Sequence, residues 1–140
     1  MLICGKNNRV FNVQIESLKE DIFQVIIESA TGEVMGEISF KIKADRAWIY
    51  SIGTAEKFQN MGVGQTLLNC FEYCCAMKRC QTVEGKYYPS NEFARQFYEK
   101  NSYEIYKDGY DCLIYKKLNI KEIIENFKSK IVEGEILICG

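Results

Sequence analysis

The run Phe58-Gln59-Asn60-Met61-Gly62-Val63-Gly64-Gln65-Thr66-Leu67-Leu68 carries the residues best suited to chemistry in this chain. Two glycines one residue apart, set between an apolar stretch and an amphipathic one, leave consecutive backbone N–H groups open to an anion. Peptide dipoles aligned at the start of the following helix add a partial positive charge. A diphosphate suits such a loop; the alternative is a tight helix-entry turn. The sequence contains no histidine, which excludes imidazole acid–base chemistry, histidine metal ligands and Ser–His or Cys–His nucleophile pairs. Seven cysteines are present, none in a Cys-x-x-Cys pair. Cys74, Cys75 and Cys80 are poorly spaced for zinc and read better as small core residues, so no metal is expected. An odd number of thiols, mostly inside elements, points to a reducing, cytoplasmic setting.

A chain of 140 residues suits one domain with a single packed core. Apolar residues make up 47% and charged residues 26%, a globular balance that argues against disorder. The net charge of −1 comes without a basic run, so no nucleic-acid partner is expected. Apolar stretches fall well short of the roughly 20 residues that span a bilayer, and no basic-then-apolar leader is legible at the start; no membrane partner is expected.

The elements that must position the glycine loop follow from periodicity. Val10–Ser17, Asp21–Ser29, Val34–Lys43 and Ala47–Thr54 read as an antiparallel meander. Phe11, Val13 and Ile15 alternate, as do Ile38, Phe40 and Ile42, and turns fall at Leu18–Asp21, Thr31-Gly32 and Ala44–Arg46. From Gly64 to about Arg79 the period becomes helical, with Leu67, Leu68, Phe71, Cys74, Cys75 and Met77 on one broad face. Gln81–Tyr88 returns to strand. Pro89-Ser90 then opens a second helix, with Ser90 as N-cap, Phe93, Ala94, Phe97 and Tyr98 inward, and Asn101 as a left-handed C-cap. Asp108-Gly109 joins strands Tyr103–Lys107 and Tyr110–Leu118. Lys121–Lys130 is an amphipathic helix with Ile123, Ile124, Phe127 and Ile131 inward, followed by a short apolar tail.

Strand, Gln-x-x-Gly-x-Gly, helix, strand, then Asn91, Ala94 and Phe97-Tyr98-Glu99-Lys100 ahead of a hairpin resembles the GCN5-related N-acetyltransferase (GNAT) family over roughly Gly32 to Leu118. The resemblance implies an α/β (α+β) fold: a mixed, mostly antiparallel central sheet with splayed strands, flanked by helices. It implies acetyl-CoA as acyl donor, lying where Ala47–Thr54 and Gln81–Tyr88 splay apart. Its diphosphate would rest on Met61, Gly62, Val63, Gly64 and Gln65, beside Gln59 and Asn60. Backbone groups of Ile52, Gly53 and Thr54 would pair with the pantetheine arm and polarise the thioester. Tyr98 matches the general acid that protonates the leaving thiolate, with core packing as its alternative. Asn91 matches a residue that hydrogen-bonds the cofactor, with a helix-start role as its alternative. An unidentified primary amine would be the acceptor. The sequence does not identify a general base: Glu84 is a candidate, with Glu33, Glu37 and Asp45 weaker, and Tyr50, Tyr87 and Tyr88 are candidates to shape an acceptor or acyl pocket.

Two departures stand out. The Gly-Phe that usually follows the second signature is Ser102-Tyr103 here, and only Leu18–Asp21 connects the first two strands of the meander, where the family normally inserts one or two helices that build the acceptor pocket. The leading expectation is therefore an N-acetyltransferase; the alternative is a non-catalytic acyl-CoA-binding or regulatory module. One domain spans 1–140, with its core at about 10–118 and a helix-and-strand extension at 119–140. Leu2-Ile3-Cys4-Gly5 recurs as Leu137-Ile138-Cys139-Gly140, and the tail is expected to pack back on the meander, within one chain or across a homodimer.

Overall fold

The computed structural model describes residues 1–133. In chain order the strands are β1 (Leu2–Cys4), β2 (Val10–Lys19), β3 (Ile22–Glu28), β4 (Val34–Lys43), β5 (Arg46–Thr54), β6 (Thr82–Tyr87), β7 (Glu104–Asp108), β8 (Asp111–Lys117) and β9 (Ile131–Glu133). The helices are α1 (Val63–Met77), α2 (Glu92–Lys100) and α3 (Ile120–Lys128). The strands form one sheet in the order β7-β8-β6-β5-β4-β3-β2-β1-β9, antiparallel throughout except where β5 meets β6. This is the mixed, mostly antiparallel sheet that the family resemblance implies, and β2 to β5 form the antiparallel meander that the alternation and the turns predict.

Period-two patterning puts Phe11, Val13, Phe23, Val25, Ile27, Ile38, Phe40, Ile42, Ala47 and Ile49 on one face, all buried. They meet α1, which is covered around most of its circumference: Leu67, Leu68, Phe71, Cys70, Cys74 and Cys75 are all at most 1% exposed. Burying apolar side chains on this scale is the main term that holds such a fold. Helix α3 covers the far side of α1, where Phe127 stacks on Tyr73 with ring centroids 4.3 Å apart. The β2–β3 link is a two-residue turn at Glu20-Asp21, with Asp21 at φ 66°, so no helix intervenes there.

Several expectations need correction. Strand β1 belongs to the sheet, pairing with β2 on one side and with β9 on the other (Leu2↔Glu133, Ile3↔Ile131). Core structure therefore starts before residue 10, and Ile131 packs inward from a strand rather than from the helix. The expected return of the tail onto the N-terminal strands is made within one chain as far as Glu133; the Leu137–Gly140 repeat lies outside the described residues. Asn91, not Ser90, caps α2, its Oδ1 accepting from the Ala94 N–H at 3.0 Å. Asn101 is not left-handed (φ −94°); Ser102 takes that conformation (φ 68°) as the residue after the cap in a Schellman motif, with Tyr103 N–H donating to the Tyr98 carbonyl and Ser102 N–H to the Glu99 carbonyl, both at 3.0 Å. The Asn101 side chain donates to the Phe97 carbonyl at 2.8 Å and accepts from Gln65 at 2.7 Å. Met77 and Phe93 are 47% and 78% exposed rather than inward; Met77 is the last residue of α1 and Phe93 the second of α2.

Candidate active site

Strands β5 and β6 pair only from Arg46↔Thr82 to Ile49↔Gly85. Beyond that point β5 stays with β4 through Thr54↔Gly36, while β6 stays with β8 through Tyr87↔Cys112. The divergence starts at a β-bulge: Phe40 pairs Ile49 and Ser39 pairs Ser51, which leaves Tyr50 as the extra residue on β5. Bulges bend a strand and re-aim its side chains; here the extra residue keeps Ile52 and Thr54 on the same face as Ile49. The gap opens into a cleft of ≈ 940 Å³ that runs between the freed edge of β5, the glycine loop and α2.

Of the residues expected to bind the donor, Ile52, Gly53, Thr54, Gln59, Asn60, Gly62, Val63, Gly64, Gln65 and Asn91 line this cleft, as does Tyr98. Met61 does not; its carbonyl turns away and accepts from Arg9 Nη1 at 2.9 Å. Gly62 caps α1 in the left-handed region (φ 86°) and its carbonyl takes the first helical bond, from Thr66 N–H at 3.0 Å. A side chain there would be strained whatever the space. Gly64 is different. It lies inside α1, and a Cβ on it would meet Thr54 Oγ1 at 3.7 Å and Phe97 Cε1 at 3.9 Å, ordinary contacts. The protein by itself does not require glycine at 64, whereas a ligand seated on the α1 N-terminus would. Gly36, which the sequence does not single out, is required by packing. A Cβ on it would stand 2.7 Å from Val63 Cγ1 and 2.8 Å from the Gly53 carbonyl, so its bare backbone lets α1 start close over β4 and β5.

Tyr98 is 4% exposed and packs among Phe97, Tyr103 and Tyr87, with centroids 5.5, 5.4 and 6.2 Å away. Its hydroxyl makes no hydrogen bond among the described residues, and no fully buried polar side-chain atom there lacks a partner, so this hydroxyl is reached from the cleft. Burial pushes the phenol up to about 12 because the interior disfavours the phenolate. Behind it the Tyr103 hydroxyl donates to Glu72 Oε2 at 2.8 Å, and Lys116 Nζ donates to Glu72 Oε1 at 3.0 Å and to the Asn101 carbonyl at 2.9 Å. These bonds join α1 to the end of α2 and fix the surface against which the Tyr98 ring lies. Asn91 spends its carbonyl oxygen on the cap, which leaves its NH2 group for the cleft.

The carboxylates considered as bases lie elsewhere. Glu84 pairs in register with Trp48 and Tyr115, on the face of β6 opposite Val83 and Gly85, and does not line the cleft. Glu33 is bound to Lys57, and Glu37 accepts from Gln24 at 3.0 Å. Tyr50 and Tyr87 line the cleft; Tyr88, 81% exposed, does not. Among the described residues no Asp or Glu lines the cleft, whereas Lys6, Lys86, Lys100 and Lys130 do. The sequence gives no sign that Lys6 and Lys130 reach the cleft. Among the described residues no helix is long and apolar enough to cross a membrane.

A splayed strand pair that opens onto a glycine-capped helix start, with positive charge and an accessible phenol around it, defines a protein shaped for an elongated anionic ligand. The chain belongs to the acetyltransferase (GNAT) family, whose model matches residues 7–103. Among solved structures it is similar to PaiA N-acetyltransferase of Thermoplasma acidophilum in complex with coenzyme A (25% identity, TM-score 0.65, 70% of this chain and 62% of that one). It is also similar to Ard1 of Thermoplasma volcanium (24%, TM-score 0.61, 68% and 70%). A third is a Bacillus anthracis protein solved with acetyl coenzyme A (20%, TM-score 0.60, 70% and 62%). The first and third are thus covered over less than two thirds of their own length. A search of curated proteins finds no match.

Proposed function

We propose that this protein is an acetyl-CoA-dependent N-acetyltransferase that acts on a primary amine, built as one domain over 1–140. The observation that carries this reading is Gly64: a glycine the fold does not need, at a helix start, facing the cleft. Backbone N–H groups of Gly62 to Gln65 would hold the diphosphate. The unpaired edge at Ile52–Thr54 would align the pantetheine arm as an added strand and polarise the thioester carbonyl, a contribution of about 3 kcal/mol per donor in comparable acyl transfers. The amine lone pair attacks the carbonyl carbon and the C–S bond breaks. Tyr98 gives its proton to the departing thiolate and recovers one from solvent, while the amine loses its own to water. The Asn91 NH2 group would steady the donor at the α2 end. A cytoplasmic setting suits the unpaired thiols of Cys4, Cys70, Cys74, Cys75, Cys80 and Cys112.

The test is a melting series with acetyl-CoA, longer acyl-CoAs and CoA, followed by an amine panel read by thiol release. A ligand at 100 times its Kd adds about 2.7 kcal/mol of stability. No shift with millimolar acetyl-CoA refutes the donor assignment. A shift with no thiol release from any amine identifies the non-catalytic acyl-CoA-binding module instead.

A further inference from the structure

We infer that Lys6, Lys100 and Lys130 form a subsite for the phosphate on the ribose of the donor's nucleotide, so that the protein selects CoA over 3′-dephospho-CoA. This rests on the donor reading above. The three lysines come from separate parts of the chain and line the same cleft. Lys6 follows β1 and lies directly against the loop, its Cβ 3.2 Å from where a Cβ on Gly62 would stand. Lys130 immediately precedes β9, and its carbonyl accepts from Cys4 N–H at 2.8 Å, so β9 starts beside the end of β1. Lys100 ends α2, next to Asn101, whose side chain accepts from Gln65 on α1. Gln65 and Asn69, one turn apart and hydrogen-bonded at 3.0 Å, form the floor of the cleft here.

Charge supplies the second argument. None of the three lysines makes an ion pair among the described residues, although the chain as a whole carries a net charge of −1. Lys130 is only part-exposed, and its charge is felt at the buried Cys70 thiol. Among the described residues no carboxylate pairs with any of the three, and an incoming anion would supply the counter-charge. The α1 N-terminus accounts for the diphosphate alone. The ribose phosphate is the donor's remaining charged group, and this is the end of the cleft where lysines make no ion pair among the described residues; Lys86 lies beside Asp111 instead (3.9 Å). Lys6 and Lys130 fall outside residues 7–103, the part that matches the family, so this selectivity would come from elements that flank the family core.

Titration calorimetry with CoA and with 3′-dephospho-CoA tests the assignment. Charge-assisted bonds of this kind correspond to ten- to hundredfold in affinity, so the wild-type protein should prefer CoA by about 30-fold. The Lys6→Gln/Lys130→Gln double variant should cut that preference below about threefold, lowering CoA affinity by much more than 3′-dephospho-CoA affinity. Lys130→Arg should retain most of the preference, and Lys43→Gln, an exposed charge outside the cleft, should retain all of it. If Lys130→Gln does not fold, Lys6→Gln and Lys100→Gln, both at exposed positions, should each cut the preference about threefold. Equal wild-type binding of the two ligands overturns the inference and leaves the donor reading intact. A preference that the variants do not alter also overturns it, and binding of neither ligand overturns the donor reading with it.

Discussion

Replacing Gly64 with leucine should move stability and donor binding in opposite directions. Glycine inside a helix costs about 0.8 kcal/mol relative to good helix formers, and the surroundings of Gly64 admit a Cβ at ordinary contact distance. For 140 residues the unfolding entropy is about 0.3 kcal/mol/K, so the ligand-free variant should melt about 2–3 °C higher than the wild type. Beyond its Cβ the leucine side chain would occupy the cleft in front of the α1 N-terminus. Acetyl-CoA at 100 times its wild-type Kd should raise the wild-type Tm by about 9 °C, from about 2.7 kcal/mol, and the variant's by less than 2 °C. Scanning fluorimetry with and without acetyl-CoA measures both quantities. A variant that melts several degrees lower without ligand would show that the fold itself demands glycine there. A variant with an undiminished shift would show that nothing seats on this helix start. Either result refutes the reasoning.

Tyr98→Phe keeps the ring among Phe97, Tyr103 and Tyr87 and removes only the hydroxyl, so turnover should fall by about 10²-fold or more with CoA affinity unchanged; equal turnover in thiol-release assays would return Tyr98 to a packing role. The pH profile of kcat/KM should rise about tenfold per unit toward the acceptor's own pKa, about 10 for an alkyl amine, because among the described residues no carboxylate lines the cleft. Tyr98, pushed up to about 12, keeps the proton it must donate across that whole range, so no falling limb should appear below about pH 11; a plateau from about pH 6 would reveal a base in the cleft. Phe127→Ala should cost about 3–4 kcal/mol, lowering Tm by about 10 °C, since the ring is 3% exposed and stacks on Tyr73. A loss under 3 °C would mean that α3 adds little to the core.

Much of this architecture is legible in the sequence because its causes are local. Alternation in β2 to β5, the change to helical period at α1 and the Asp108-Gly109 turn each depend on a few neighbouring residues. The glycine loop is legible for the same reason, since the helix start it caps is encoded within a dozen positions. The bulge at Tyr50 is not: an aromatic within a strand reads the same whether or not its partner strand skips it. Ser90 and Asn91 are both good caps, and only the backbone path decides between them. Gly36 looks like any strand glycine until α1 lies on it. Lys6 and Lys130 each resemble a solvated surface lysine, and they become part of the cleft through long-range strand pairing, β1 with β2 for Lys6 and β9 with β1 for Lys130.

Among the described residues, four paired positions, Arg46–Ile49 with Thr82–Gly85, extended by the Gln81 and Thr82 N–H bonds to the Asp45 carbonyl, form the direct backbone seam between two antiparallel blocks, β9 with β1 to β5 on one side and β6 to β8 on the other. The blocks are otherwise held by helices laid across them, so the upper half of the seam is unzipped in the free protein. A molecule that lies along the freed edge of β5 and against α2 would act as a stitch across that seam. Local opening free energies differ across a fold and change with what is bound. Amide exchange at Tyr50–Thr54 and at Lys86-Tyr87 should therefore slow together when the cleft fills, making two cooperative units behave as one.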